Sequence, residues 1–307
     1  MRSMSAPVSN RLALGVLLAG AIIIGFAPIL VRLTETGPAA GGFWRMLFAL
    51  PLLAPSALRA KAAPLAATFK WGLWAGVLFA IDLGVWHYAV GFTSVANATA
   101  LSNTTPVVVT AVGWLMFRER PTGAFLAALA LALGGAFVMA AAKGSGGHGH
   151  APVLGDLLAL GAALFYGGYF VVIRLQRRAG ASTAHLMFWT SVSAAPTLLI
   201  AALLLHERIL PAGPGGWAAC VGLGVMHATG QGAIAWALGR PPASLTSVVV
   251  LVQPVAAAGL GWVILGEAVG PVQALGAVIL LAGVVLAQRS TRATAAPVVL
   301  PETPSGA

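Results

Sequence analysis

Long apolar stretches dominate the chain, and short polar connections cut them at regular intervals. A helix that crosses a bilayer needs roughly 20 apolar residues. Ten such windows predict ten helices, near residues 12–32, 38–58, 71–91, 95–116, 121–141, 153–173, 184–205, 216–238, 244–265 and 271–287. Turn residues and charges fill the gaps. Thr34-Glu35-Thr36-Gly37-Pro38 closes the first pair, Lys143 to Pro152 is rich in Gly and His, and Arg174 to Ser182 follows the sixth window. The first run, Leu12 to Val31, is longer than the roughly 7–15 apolar residues of a signal-peptide core, so it is expected to be a retained span.

Basic residues orient the spans, because Lys and Arg concentrate on cytoplasmic loops. With the N-terminus inside and strict alternation, only Arg32, Lys143 and Arg208 of the 17 basic residues face outward, and Arg45 alone lies within a span. The expected protein is multi-pass, with both termini cytoplasmic.

The apolar pattern also repeats. Gly91, Pro106, Gly113, Trp114, Glu119 and Gly135 recur 148 residues on as Gly239, Pro254, Gly261, Trp262, Glu267 and Gly283. Earlier in the chain the offset shortens. Phe43-Trp44 and Pro51 match Phe188-Trp189 and Pro196 at 145, and Gly25 with Val31-Arg32-Leu33 resembles Gly167 with Ile173-Arg174-Leu175 at 142. Each half then holds five spans, an odd number, so the second half enters the membrane from the opposite side. The expected fold is an all-α integral membrane protein of ten transmembrane helices in two inverted five-helix repeats, basket-like around a central cavity. The expected units are residues 11–141, an outer linker 142–152, residues 153–288, and a cytoplasmic, disordered tail 289–307.

Composition supports lipid as the solvent. Only 8% of residues are charged and 59% are hydrophobic, against about 25% charged in average soluble domains. The net charge of +10 then reflects cytoplasmic loops rather than nucleic-acid binding. Cys220, the single cysteine, reads as a small buried hydrophobe. No HExxH, GxSxG or P-loop pattern occurs, so neither an enzyme nor an ATP-driven pump is expected, and no cofactor or metal. His148 and His150 are a metal pair without a third ligand.

Two stretches resemble a known family. One runs from Thr93-Ser94-Val95-Ala96-Asn97-Ala98-Thr99-Ala100-Leu101 through Pro106 and Phe117-Arg118-Glu119-Arg120-Pro121 to Gly134-Gly135. The other runs from Ala243-Ser244 through Gln253-Pro254 and Leu265-Gly266-Glu267 to Ala282-Gly283. They are similar to the paired EamA-type repeats of the drug/metabolite transporter superfamily, and the likeness covers about residues 11–288. Arg118 stands where that family more often has Gly. The resemblance implies a bacterial inner-membrane carrier of a small amino-acid-like, nucleoside-like or drug-like metabolite. It would work as a monomer or homodimer by alternating access, exporting its solute on protons or on the solute's own gradient. A passive channel or facilitator is the alternative.

Polar groups at mid-depth are the candidate solute contacts, because ionisable side chains inside a bilayer are costly. Asp82 is twelve residues past Lys70, about 18 Å in, and Asn103 lies at similar depth. Asp82 either contacts solute or proton, or anchors a hydrogen bond to Asn103. His227 and Gln231 on the eighth span read equally as cavity lining or as ties between helices. Gln253 precedes Pro254, and prolines 106 and 254 free the carbonyls of Ser102 and Val250. Tyr166 and Tyr169 form an aromatic cluster with Phe165 and Phe170. His87 fits either an interfacial aromatic belt or an outer mouth. Asn97 completes the candidate set. Arg45 is expected to snorkel outward or to pair with Glu35. Asp82, Asn103, Gln231 and Gln253 share one property: their repeat mates are Gly230, Leu251, Leu83 and Thr105.

Overall fold

A computed structural model describes residues 10–60, 65–92, 101–118, 120–142, 151–239, 243–265 and 269–294. Among these residues every regular element is a helix, and short turns and loops join them. Lipid offers no hydrogen-bond partner to a backbone N–H or C=O, so an open chain can cross it only as helix. In order the helices are α1 (Asn10–Ile24), α2 (Ala27–Leu33), α3 (Pro38–Arg59), α4 (Leu65–Phe92), α5 (Thr105–Phe117) and α6 (Gly123–Ala142). There follow α7 (Pro152–Arg178), α8 (Thr183–Leu204), α9 (Pro214–Met226), a π turn (His227–Gln231), α10 (Gly232–Ala237), α11 (Ala243–Val250), α12 (Val252–Leu265) and α13 (Pro271–Thr294). Proline stands in the first turn of α2, α3, α5, α7 and α9, where its missing N–H costs nothing.

Eight segments are long and apolar enough to span a membrane, from Leu12–Val31 to Pro271–Ser290. Two further windows differ from simple continuous spans. The window near 95–116 is described only from Leu101, with the helix Thr105–Phe117, and the window near 216–238 is interrupted by the π turn. Many of the large apolar side chains outside the core are exposed, among them Trp114, Leu115, Leu157, Leu204, Trp262 and Val263, as expected of a surface solvated by lipid.

Helices pack where small residues let backbones meet. α6 lies along α13, α4 lies against α7 and α8, and α3 lies against α8 and α9. A Cβ at Gly135 would strike the backbone nitrogen of Leu280, and one at Gly283 would strike that of Ala132. A Cβ at Gly76 would overlap Ser193 and Thr190, whereas one at Gly224 would meet Phe48. At Gly25 it would be 2.8 Å from the Ala256 Cβ, and at Gly167 2.7 Å from Val108 Cγ1. These contacts are reciprocal. The 148-residue offset carries Gly135 to Gly283 and Ala132 to Leu280. It also carries Gly76 to Gly224 and Val108 to Ala256, while Phe48 and Ser193 are mates at 145.

Glutamates tie the loops at one end of the bundle. Glu207 accepts the N–H groups of Ala39 and Ala40, at 3.2 and 2.9 Å, and the hydroxyl of Tyr88. It therefore caps α3, where a carboxylate favours both the free N–H groups and the helix dipole. Glu35 does the same before α9, accepting from Ala212 and Gly213 at 3.0 and 3.1 Å. Glu35 thus binds backbone, so its expected alternative partner Arg45 is free to turn elsewhere.

Two substitutions in adjacent glycines test the packing. Gly135→Ala is expected to lower stability by about 1–3 kcal/mol, because the backbone of α13 blocks the added carbon. Gly134→Ala is expected to be tolerated, since nothing lies within 4 Å of its added carbon. Thermal melts of the two purified variants in detergent compare them. Glu207→Ala should cost about 1–2 kcal/mol in the same melt by uncapping α3.

Candidate functional site

Helix breaks create the site. Pro106 and Pro254 each interrupt a helix three residues upstream or so. Asn103 and Thr104 form a turn ahead of α5, and Leu251 separates α11 from α12. The carbonyl freed at Ser102 does not stay unpaired, because Thr105 Oγ1 donates to it at 2.9 Å and also lies 3.3 Å from the Ala163 carbonyl. The breaks at 103 and 251 are 148 residues apart, so both halves open their backbone at matching points.

A cavity of about 230 Å³ lies against both breaks. Asp82, Asn103, Tyr166, Gln231 and Gln253 all line it, five of the nine residues singled out from sequence. Arg45 lines it as well. The rest of the wall is mostly apolar and includes Phe79, Trp86, Phe170, Val250, Leu251 and the turn at Ile24 and Gly25.

Gln231 is aimed by the π turn. There the Gly232 N–H reaches back five residues to the His227 carbonyl, one residue further than in an α-helix. Such insertions recur at functional sites because they re-aim one side chain. The Gln231 amide lies 3.5 Å from the Tyr166 hydroxyl and 3.4 Å from that of Tyr169. The two tyrosine rings stack 5.9 Å apart at 3°, with Phe170 edge-on to Tyr166 at 4.7 Å. Tyr169 is fully buried behind the cavity wall, with its hydroxyl 3.7 Å from Met187 Sδ.

The remaining sequence candidates lie off the cavity. His227 is buried with its ring 5.4 Å from Phe79, and its two nitrogens have no hydrogen-bond partner among the described residues. His87 is also buried, against Trp86 at 5.2 Å, so it does not belong to a lipid-facing aromatic belt. Two residues beyond Trp86, Tyr88 meets Glu207, and this tie holds the end of α4 to the start of α3. Asn97 lies outside the described residues.

Arg45 departs most from expectation. It neither snorkels nor pairs with Glu35. It is 5% exposed, its guanidinium carbon sits 5.5 Å from the Phe79 ring centre, and it lines the same cavity as Asp82 and Tyr166. The physical reason lies in the helix contacts: α3 packs against α8 and α9, so Arg45 faces protein rather than lipid. The sequence does carry a signal for it. At the 145-residue offset Arg45 aligns with Thr190, so its charge breaks the repeat, as that of Asp82 does. Unpaired donors add to the picture: Arg45 Nε and Gln253 Nε2 are buried without partners among the described residues. Buried polar atoms are nearly always paired, so these two stand out beside the cavity.

A multi-pass helical membrane protein with a polar-studded cavity among its helices is the class that the fold and site define. The chain belongs to the EamA-like transporter family, which it matches over residues 11–141 and 153–288. It is 26% identical over 218 residues to the pseudopaline exporter CntI of Pseudomonas aeruginosa, an alignment covering 71% of this chain and 74% of that one. A solved crystal structure superposes with a TM-score of 0.77 at 20% identity, covering 93% of this chain and 99% of the other. At that identity the likeness concerns the fold alone.

Thr105→Val is expected to lower thermal stability by about 1 kcal/mol, because it removes the hydroxyl that satisfies the Ser102 carbonyl. Thr105→Ser keeps the hydroxyl and should retain most of that stability in the same melt.

Proposed function

We propose that this chain is a secondary exporter of a small metabolite. It works by alternating access between two inverted five-helix repeats, residues 11–141 and 153–288, in the inner membrane with both termini cytoplasmic. The observation that carries the reading is the set of reciprocal glycine contacts. The pairs Gly135 with Leu280 and Gly283 with Ala132 exchange under the repeat offset, as a pseudo-two-fold axis requires. The same holds for Gly76 with Ser193 and Gly224 with Phe48. Phe79 and His227, themselves repeat mates, are in ring contact, which favours an axis passing between them. The cavity draws its wall from both halves, with Arg45, Asp82 and Asn103 from the first and Tyr166, Gln231 and Gln253 from the second. A site on such an axis can be exposed first to one side and then to the other by two equivalent rearrangements.

Export is supported by the relationship to CntI, itself an exporter. The size of the cavity favours a small solute, since sites for drug-sized ligands run to roughly 300–1,000 Å³ and this one is about 230 Å³. Asp82 is the group to carry a coupled proton: it is the one carboxylate among the described cavity-lining residues.

Three measurements test this reading. Impermeant maleimide should label cysteines placed at 61 and 177 from the cytoplasmic face, and cysteines placed at 143 and 212 from outside, in a Cys220→Ser background. Expression in a bacterial host should deplete at least one small metabolite from the cells and enrich it in the medium. Pools identical to those of an empty-vector strain would sink the export reading. In proteoliposomes loaded with that metabolite, trans-stimulated exchange is expected of a carrier and not of an open channel. Asp82→Asn should abolish the pH dependence of that exchange, and an unchanged pH profile would remove the proton from the mechanism.

A further inference from the structure

We propose that His227 is a wall residue of the carrier's second conformation: buried here against Phe79, it takes the place of Phe79 when the cavity opens to the opposite face. The inference deepens the carrier reading and rests on it.

Phe79 and His227 are repeat mates, 148 residues apart, and their rings meet at 5.4 Å. Of this pair Phe79 alone lines the cavity. His227 is fully buried, and neither of its nitrogens has a hydrogen-bond partner among the described residues. Leaving a buried donor or acceptor unpaired is costly, and a ring without polar atoms would fill the same space at lower cost.

The one-sided pattern continues toward one end of the molecule. Leu83 and Gln231 line the cavity as a pair, and so do Asn103 and Leu251. Trp86, Ala27 and Ala257 line it without their mates. Those mates are Ile234, Tyr169 and Val109, the first two fully buried and the third 1% exposed. Trp86 lies toward the end of α4 and Ala27 at the start of α2. Both point the cavity to the face where Glu207 caps α3, which the carrier reading places outside. At the other face the matching chain ends close on each other. A Cβ at Gly239, just beyond α10, would stand 3.2 Å from Arg177 Cβ at the end of α7. When inverted halves exchange conformations, repeat mates trade surroundings. Ile234, Tyr169 and Val109 then open onto the cavity, His227 joins them, and Phe79 takes the buried place.

The exchange alters the chemistry of the wall. In the present conformation that position offers a phenyl ring, and in the second it offers an imidazole able to donate and accept. A solute hydrogen-bonded to His227 binds the second conformation better and so draws the carrier into it.

The test uses the full chain purified in detergent, in a Cys220→Ser background. A disulfide formed between Arg177→Cys and Gly239→Cys, whose Cβ atoms are close enough to bridge, locks the closed end. His227→Cys should react with N-ethylmaleimide in the unlocked protein. With the lock formed it should react about 10-fold or more slowly, because labelling follows the fraction of molecules in the competent conformation. Phe79→Cys should react in both. The proposal is overturned if His227→Cys is unreactive in both proteins, or equally reactive in both. Should His227→Cys fail to fold, carbethoxylation of the native imidazole by diethyl pyrocarbonate, read at residue 227 by peptide mass spectrometry, makes the same comparison. Ile234→Cys separates the two readings. If the carrier reading fails, Ile234→Cys is unreactive with or without the lock. If only the role of His227 fails, Ile234→Cys still reacts in the unlocked protein and is protected by the lock.

Discussion

Direct contact between helix backbones at glycine is the constraint on which this structure depends. Lipid tails are as apolar as leucine, so the hydrophobic effect does little to bring spans together within a bilayer. Association relies instead on close packing, and close packing needs positions without side chains. Gly135 and Gly283 let α6 and α13 meet backbone to backbone, and Gly76 and Gly224 do the same for α4 with α8 and for α9 with α3. Because these positions exchange under the repeat offset, each contact is met twice. Whatever geometry one half adopts toward the other, its counterpart can adopt in return, which is the mechanical basis of the proposed alternation.

The site sits where that regular packing is deliberately interrupted. Pro106 and Pro254 break their helices at positions 148 residues apart, and the π turn at His227–Gln231 adds a third irregularity. Non-helical backbone at membrane depth is tolerated only where protein or a cavity receives its polar groups. Here the Thr105 hydroxyl donates to the Ser102 carbonyl. The chemistry is asymmetric although the scaffold is matched. Every charge and amide singled out in the cavity wall faces a mate of different chemistry in the other half, so the solute would be read by the departures from the repeat.

Much of this was legible from the chain alone, for reasons that can be named. Apolar length marked the helices because lipid admits nothing shorter or more polar. Asp82, Asn103, Gln231 and Gln253 were found because the repeat supplied an internal control: a polar residue whose mate is apolar or small is not required by the scaffold. Arg45 had the same signature and was still assigned outward, because a long basic side chain seven residues into a span can reach the interface. Only the packing of α3 against α8 and α9 showed that the path outward is blocked. His227 was placed at mid-depth, but depth does not determine which face of a helix meets the cavity.

By itself the sequence determined the apolar helices, the internal repeat of residues along them and the points where proline must break them. These follow from local rules: hydropathy, spacing and the missing N–H of proline. The tertiary structure decided which polar groups converge. It turned Arg45 into the cavity wall with Asp82, used a π turn to aim Gln231 at Tyr166 and Tyr169, and gave Glu35 to a helix N-terminus instead of to Arg45. The rotation of these helices about their axes is set by contacts with residues far off in the chain, such as Gly135 with Leu280 and Gly76 with Ser193. No local pattern encodes that rotation, and it is what makes a cavity out of scattered polar residues.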